Sequence, residues 1–585
     1  MGPDMNRTEW GFSSALIAMV IFLSGPAAAD PCDTLRDAEP RIVACTQSIN
    51  SGKWKGHNQA VNYNNRGNAY RLKGDNDRAI ADYSQAISLD PKDADYYNGR
   101  GNAYDDKGDY DRAIADFNRA ISLNPKFAYA YNGRGATYDD KGDYDRAIAD
   151  YDRAIGLDPQ YPNAYYNRGT AYRNKGDYDR AIADCNQAIS LNPKDADYYN
   201  GRGLAYRNKG DNDRAIADYS QAISLDPKHA KAYRNRGLAY KDKGDYDRAI
   251  ADYDQAISLE PAGAIAYNSR GNAYRDKGDK DRAMADYNRA ISLDPKNDSA
   301  YIGRGNVYDD KGDYDRAIAD YNQAISLDPK DVLAHSNRGN TYGRKGDYDR
   351  AIADYNEAIG LDPKNAKAFN NRGFAYARHQ GDYDRAIADY NQAISLDPKF
   401  ASAYRNRGFA YSRKRDYDRA VADYSQAISL DPKNAGIYAS RGRVNLYAGA
   451  LPKALADFNQ ANALDPKDAY TALWLDIVGR RNNVASRLAQ ASSQVDMTKW
   501  PAPVIGLFLG QMTQAAVLAA ADDPDPVKKK GQVCEANFYA GELSLLKGTK
   551  DDAGRLFLFA VGNCPRTFLE WDAANDELKA LGIAP

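Results

Sequence analysis

Apolar and small residues recur along this chain in two alternating helical rhythms. In the stretch from Ala94 to Phe127, Tyr97, Gly101 and Tyr104 stand at i, i+4 and i+7, which puts them on one helical face. Ala113, Phe117 and Ala120 repeat that spacing in a second helix. Between them lies Lys107-Gly108-Asp109, a turn signal with Asp109 placed to cap the second helix. Pro125 ends that helix, because it cannot continue the backbone ladder. Gly101 and Ala113 are small where two helix axes must approach closely. The unit returns with a 34-residue period, in twelve copies that begin at Ala60, Ala94, Ala128, Pro162, Ala196, Ala230, Ala264, Asp298, Val332, Ala366, Ala401 and Ala435. One hairpin buries too little surface to fold alone, so stacked neighbours must supply the core.

The signature places held by Tyr97, Gly101, Tyr104, Ala113, Phe117, Ala120 and Pro125, at this period, resemble the tetratricopeptide repeat (TPR). The resemblance implies an all-α helix–turn–helix solenoid, wound as a right-handed superhelix whose first helices line a concave groove. On this reading residues 1–29 are a signal peptide, 30–59 an N-terminal cap with half a repeat, and 60–468 the twelve repeats. Residues 469–533 are a helical extension with a charged linker, and 534–585 a divergent hairpin with a capping helix. The tenth repeat carries an extra residue, expected in its turn at His379-Gln380, and the eleventh has Arg415 where the turn glycine belongs. The extension predicts apolar helices over Thr471–Arg481 and Pro503–Ala521, then a linker from Asp522 to Lys530. In the last hairpin Cys534 is expected to open the first helix and Cys564 to close the second, with a final helix from Phe568 to Leu581.

Charge is nearly balanced, 79 basic against 81 acidic residues, so nothing points to nucleic acid or an acidic substrate. Arg7, the apolar run Ala15 to Leu23 and the small residues Ala27-Ala28-Ala29 read as an export signal cleaved near Ala29, and the expected compartment is the periplasm. An uncleaved anchor over Trp10 to Ala29 is the other reading. Cys32 follows Asp30-Pro31, so no lipid-attachment motif is matched. Beyond this segment, membrane contact is expected only through partners. Of five cysteines, four lie in pairs at the two ends of the mature chain. An oxidising compartment then predicts Cys32–Cys45 and Cys534–Cys564 disulfides, against the alternative of five reduced thiols. Cys185 fills a place that is aromatic in the other repeats and is expected as a buried free thiol.

A search for chemistry finds no nucleophile elbow, zinc-protease, phosphate-loop or dinucleotide motif. The four histidines are scattered, and none lies beyond residue 468. No enzyme, cofactor, metal or small-molecule substrate is therefore expected. Acidic turns such as Asp105–Asp111 lack the twelve-residue loop and closing Glu of a calcium site.

The more telling constellation is on the first helices. Just before the repeat's Arg-Gly stand Asn65, Asn167, Asn235, Asn337, Asn371 and Asn406, and three residues on stand Asn68, Asn102, Asn272, Asn306 and Asn340. An amide offers both donor and acceptor, so such rows can grip an extended peptide backbone without reading its side chains. They resemble the asparagine ladder in the TPR domain of O-linked N-acetylglucosamine transferase. The alternative is that they solvate the groove or bond the next helix. A further ring alternates in charge, from Asp105-Asp106 and Asp139-Asp140 to Arg173, Arg207, Lys241-Asp242 and Arg275-Asp276 and back to Asp309-Asp310. It is either a solvated face or a selector of a complementary ligand. The Arg before each Gly (Arg66 through Arg441) and the Asp before each second-helix aromatic place (Asp82 through Asp457) read as a structural ion-pair array.

WPAPVIGLFLG from Trp500, CEANFYAGELSLLKG from Cys534 and AGRLFLFAVGNCPRTFLEWDAANDEL from Ala553 resemble the C-terminal half of the new lipoprotein I type of periplasmic TPR protein. That resemblance implies an adaptor for an envelope protease or a cell-wall hydrolase. The expected function is a non-catalytic scaffold of the bacterial envelope that binds an extended peptide or protein in its groove. Two alternatives are a scaffold in an envelope export or polysaccharide assembly complex, and an enzyme with an unrecognised site in residues 469–585.

Overall fold

The computed structural model describes residues 31–379, 381–565 and 568–584. The expected export segment and Gln380 lie outside them. All regular structure of the described residues is helical, and these residues divide into two compact units, one up to residue 303 and one from residue 304.

The first unit opens with helices Pro31–Thr34 and Ala38–Asn50, tied by the Cys32–Cys45 disulfide across a Cα separation of 4.5 Å. The first repeat's leading helix is His57–Leu72, three residues longer at its start than the spacing predicts. Gly56 turns there at φ 54°, and its carbonyl accepts from the Ala60 N–H at 3.0 Å. Helix pairs follow at the expected register, from Asn76–Leu89 and Ala94–Asp106 onward. The turn between paired helices needs a left-handed residue, and Gly74 supplies it at φ 76°. Asp75 then caps the second helix by accepting from the Arg78 N–H at 3.2 Å. The same cap recurs at Asp109, Asp143, Asp177, Asp211, Asp245 and Asp279.

Each repeat contributes a thin core. Ala69, Ala79, Tyr83 and Ala86 are fully buried in the first. Gly67 is small for a steric reason: a Cβ there would sit 3.0 Å from the Tyr83 ring. Cys185 is buried and free, and burial pushes its thiol up to about 12.

The second unit continues the array, with Asp313, Asp347, Asp382 and Asp416 as caps. In the eleventh repeat Arg415 takes the glycine's place at φ 60°. After helix Leu451–Leu464 the packing changes. Leu473, Trp474, Ile477, Val478, Val504, Ile505, Phe538 and Tyr539 form one continuous apolar core.

Three sequence expectations are corrected in this part. Pro503–Ala521 is two helices, Ala502–Phe508 and Gln514–Ala520, because Gly510 turns at φ 72° and Thr513 caps the next helix through the Ala516 N–H at 3.2 Å. The linker is shorter than Asp522–Lys530, because Asp525 caps a helix that starts at Pro526 and runs to Leu546. Cys534 consequently lies inside that helix rather than at its start. It still meets Cys564, at the end of helix Lys550–Asn563, across a Cα separation of 4.9 Å. The last helix is Leu569–Ala580.

Candidate interaction surface

Every repeat is pinned by one arginine. Arg66 sends Nε and one terminal nitrogen to the two oxygens of Asp82, both at 2.8 Å, in a bidentate pair between the two helices of its own repeat. Its other terminal nitrogen reaches Thr46 Oγ1 on the preceding second helix at 3.1 Å. The pair recurs in all twelve repeats, ending at Arg441–Asp457. The reach backwards recurs too, to Ser84 from Arg100, Asp152 from Arg168 and Asn391 from Arg407. The hydrogen bond to Asp82 raises the Arg66 guanidinium above its ordinary range, and Arg236 and Arg407 are raised in the same way by Asp252 and Asp423. These are the ion pairs that the sequence pattern predicts.

The two asparagine rows are engaged with neighbouring side chains. Asn65 donates to Asp33 at 2.7 Å. Asn167 donates to Asn132 at 3.0 Å, Asn235 to Asn200 at 2.9 Å and Asn406 to Asn370 at 3.0 Å. Asn337 donates to Asn306 at 3.0 Å and Asn371 to Asn340 at 2.9 Å. Every one of these bonds joins the first helices of consecutive repeats or, for Asn65, the N-terminal helix. In the second row Asn68, Asn272, Asn306 and Asn340 each accept from the tyrosine hydroxyl of their own second helix, at 2.7–2.8 Å. The second repeat has Phe117 at that aromatic place, so Asn102 has no such hydroxyl to meet. The acceptors Asn132, Asn200 and Asn370 were not singled out in the sequence. They occupy the place immediately before the first row, and only the offset between adjacent helices reveals them.

Glycine interrupts the first row for a packing reason. A Cβ at Gly99 would lie 2.6 Å from the Tyr83 ring, at Gly133 2.5 Å from Phe117, and at Gly303 2.3 Å from Tyr287. In the repeat after Cys185 the missing aromatic is replaced by Tyr166, whose ring would meet a Cβ at Gly201 at 2.5 Å.

The charged ring is partly neutralised between repeats, by Arg71–Asp106 at 3.2 Å, Arg207–Asp242 at 2.8 Å and Lys241–Asp276 at 3.3 Å. Asp105 and Asp139 stay acidic neighbours. Burial pushes Asp105 up to about 7, with the Asp140 charge adding to it, and pushes Asp139 up to about 6. Large apolar side chains also open to solvent on the first helices. Tyr129, Ile265 and Leu333 stand at the second place of their repeats, 50%, 39% and 61% exposed, and Phe374 at the ninth is 44% exposed. The second, fifth, ninth and thirteenth places share one helical face.

Models of the tetratricopeptide repeat match residues 67–108, 203–244, 305–346, 344–380 and 377–415, then 98–162 and 234–298, then 162–195 and 401–434, then 185–217 and 286–319. Between them they cover 67–434 without a gap. The chain is a tetratricopeptide-repeat protein. Among solved structures it is similar to the APC/C hetero-tetramer Cut9–Hcn1, at 16% identity over 75% of this chain and 93% of that one, with a TM-score of 0.43. It is similar to a tetratricopeptide repeat protein from Parabacteroides merdae ATCC 43184, at 23% identity, 43% and 98% coverage and a TM-score of 0.35. Yeast Tom70 matches at 17% identity, 77% and 99% coverage and a TM-score of 0.36.

Outside the repeats, this TPR protein buries several carboxylates. Glu535 accepts from Tyr470 Oη at 2.8 Å and Trp500 Nε1 at 2.6 Å. Arg481 pairs with Glu542 at 2.5 Å and Glu577 at 2.8 Å. Burial, then the Glu535 charge, pushes Glu570 up to about 7. Each serves to dock helices of the C-terminal part on one another. Two other groupings went unseen in the sequence. His57 Nδ1 lies 2.7 Å from Asp90 Oδ2, with Asp93 beside them. A cavity of 360 Å³ is lined by Lys175, Asp177, Tyr178, Asp179, Arg180 and Lys209 at the turns of the fourth and fifth repeats. No described helix is long and apolar enough to cross a membrane.

Proposed function

We propose that this TPR protein is a non-catalytic scaffold of the bacterial envelope that holds an extended peptide or protein partner along its first-helix face. The observation that carries this is a contrast among the twelve repeats. Places needed for packing vary little, as in the second-helix aromatic place, which is Tyr or Phe in every repeat but the fourth, and an exposed place with no packing role does not vary at all: Ala81, Ala115, Ala149 and their counterparts to Ala456 are alanine throughout. Exposure alone has not diversified these repeats. The first-helix face has diversified. Its ninth place reads Asn, Ala, Thr, Leu, Phe or Arg, and its thirteenth Leu, Asp, Asn, Arg or Tyr. A face that differs from repeat to repeat, and carries open apolar side chains, suits the recognition of an extended sequence.

The asparagine rows enter this proposal as a pre-organised lattice. Their bonds to neighbouring helices fix the amides, and the groups left over on Asn337, Asn371 and Asn406, which are only half-buried, are offered to a bound backbone. The envelope assignment is supported by the export pattern of residues 1–29 and by the two disulfides. The C-terminal resemblance supports recruitment of the partner to an envelope protease or cell-wall hydrolase.

The test is a crosslinking pull-down from the envelope fraction, comparing wild type with a Tyr129→Ser, Ile265→Ser, Leu333→Ser variant. Prey lost from a variant that melts like wild type is the expected result. The same prey from both proteins would overturn the reading.

A further inference from the structure

Two consecutive repeats carry the same pair of side chains, one covered and one open. Phe at the ninth place and Arg at the thirteenth occur together only in the tenth and eleventh repeats, as Phe374–Arg378 and Phe409–Arg413. The i, i+4 spacing lays each guanidinium over its own ring, at 5.4 Å in the tenth and 6.0 Å in the eleventh.

In the eleventh repeat the pair is occupied by the chain's own last helix, Leu569–Ala580. The Arg413 guanidinium lies 5.9 Å from the Trp571 ring and 5.8 Å from Tyr383, and it pairs with the Asp572 carboxylate. One turn along the same helix, Asp576 pairs with Arg415 at 2.8 Å and accepts from Tyr417 Oη at 3.1 Å. Arg413 is left 11% exposed. The occupant is thus an acidic helix with an aromatic residue directly before a carboxylate.

In the tenth repeat the equivalent pair faces solvent. Phe374 is 44% exposed and Arg378 is exposed, with no ion pair to a described carboxylate. Tyr348 stands one repeat before Tyr383 and supplies the matching second ring, next to His379 at 6.5 Å. The cation that holds Trp571-Asp572 and the two residues that flank it, the ring at the ninth place and the preceding repeat's tyrosine, are therefore repeated, while Arg415, the partner of Asp576, has Gly381 at its place.

We propose that Phe374, Arg378 and Tyr348 form a docking site for an acidic helix of a partner protein, one that presents an aromatic residue followed by Asp or Glu. The last helix of this chain is the internal template for that ligand. This deepens the scaffold reading above and rests on it, since it names one place on the first-helix face and the chemistry that fits it. Charge complementarity sets the register, and stacking of the aromatic against the Arg–Phe pair adds apolar contact.

The test uses full-length protein and a fluorescent peptide with the sequence of residues 569–580, read by anisotropy. Saturable binding is expected, weakened at least ten-fold by Phe374→Ala and by Arg378→Glu. A peptide with Lys in place of the residue equivalent to Asp572 should regain binding to the Arg378→Glu protein. No saturable binding would overturn the site. So would binding indifferent to Arg378→Glu, because the peptide would then be exchanging with the resident helix at the eleventh repeat. Either failure leaves the pull-down above unaffected, since that experiment alters none of Phe374, Arg378 and Tyr348 and two of its three substitutions, Tyr129→Ser and Ile265→Ser, lie in the third and seventh repeats.

Discussion

The repeats and the C-terminal part of this chain hold helices together by different means. Between residues 60 and 468 the buried side chains are mostly Ala and Gly around one or two aromatic rings, with Cys185 at the second-helix aromatic place of the fourth repeat, and an Arg–Asp pair clamps each hairpin. Beyond residue 468 the core is built from Trp474, Ile477, Val504, Phe538 and Tyr539, closed by the Cys534–Cys564 disulfide. A repeat with a thin core depends on polar bonds to its neighbours and can spread damage along the array. A larger apolar core is locally cooperative. The difference fixes where each part is vulnerable.

The largest expected effect lies in the C-terminal core. Trp474 stacks on Phe458 at 6.1 Å between ring centroids and meets Phe538 at 5.8 Å. Trp474→Ala should cost about 4 kcal/mol, the usual range for emptying an aromatic core site. Chemical denaturation should then show the C-terminal part melting ahead of the repeats. A single shared transition at the wild-type midpoint would contradict the division.

Next comes the clamp. Asp252→Ala strands the half-buried Arg236, and about 3 kcal/mol is expected from removing one partner of a buried pair. Hydrogen exchange should rise in helices Ala230–Asp242 and Tyr246–Leu259 and in their immediate neighbours. Unchanged protection there would mean that the pair is ornamental.

The amide lattice should matter less. Asn235→Ala removes the bond to Asn200 and is expected to cost about 1 kcal/mol, the net value of one hydrogen bond. The measurement is again the denaturation midpoint, and a loss as large as that of Asp252→Ala would reverse the ranking.

The smallest effect is with pH. Asp105 and Asp139 have folded-state values raised by burial to about 7 and about 6. A carboxylate raised on folding contributes stability that is fully present below its ordinary value and is lost as pH rises through the folded one. The second and third repeats should therefore be better protected at pH 5 than at pH 8, with exchange corrected for its intrinsic pH dependence. Better protection at pH 8 would contradict the burial of these groups.

The same comparison explains what was legible in the sequence. Hairpin register and the Arg–Asp clamp follow from local spacing that recurs in all twelve repeats, and the Asp caps and turn glycines from spacing that recurs in eleven each. The two disulfides followed from the placement of the cysteines in pairs at the two ends and the expectation of an oxidising compartment. Residues whose meaning depends on the offset between adjacent helices stayed hidden. Asn132, Asn200 and Asn370 are acceptors only because the next repeat's asparagine arrives opposite them. The docking of Asp572 and Asp576 on Arg413 and Arg415 spans some 160 residues, beyond any periodic signal. In the extension, which has no repeat to average over, an apolar run concealed the Gly510 turn, and a run of charges concealed the helix start at Pro526.

The central claim is that the constant places build the array and the varied first-helix face reads a partner. A photo-crosslinking amino acid placed singly at Tyr129, Ile265 or Leu333, and at the exposed second-helix residues Ala115, Ala251 or Ala319, tests it in living cells. The account predicts partner adducts from the first set and none from the second. Adducts from the alanine positions, with none from the first helices, would contradict it.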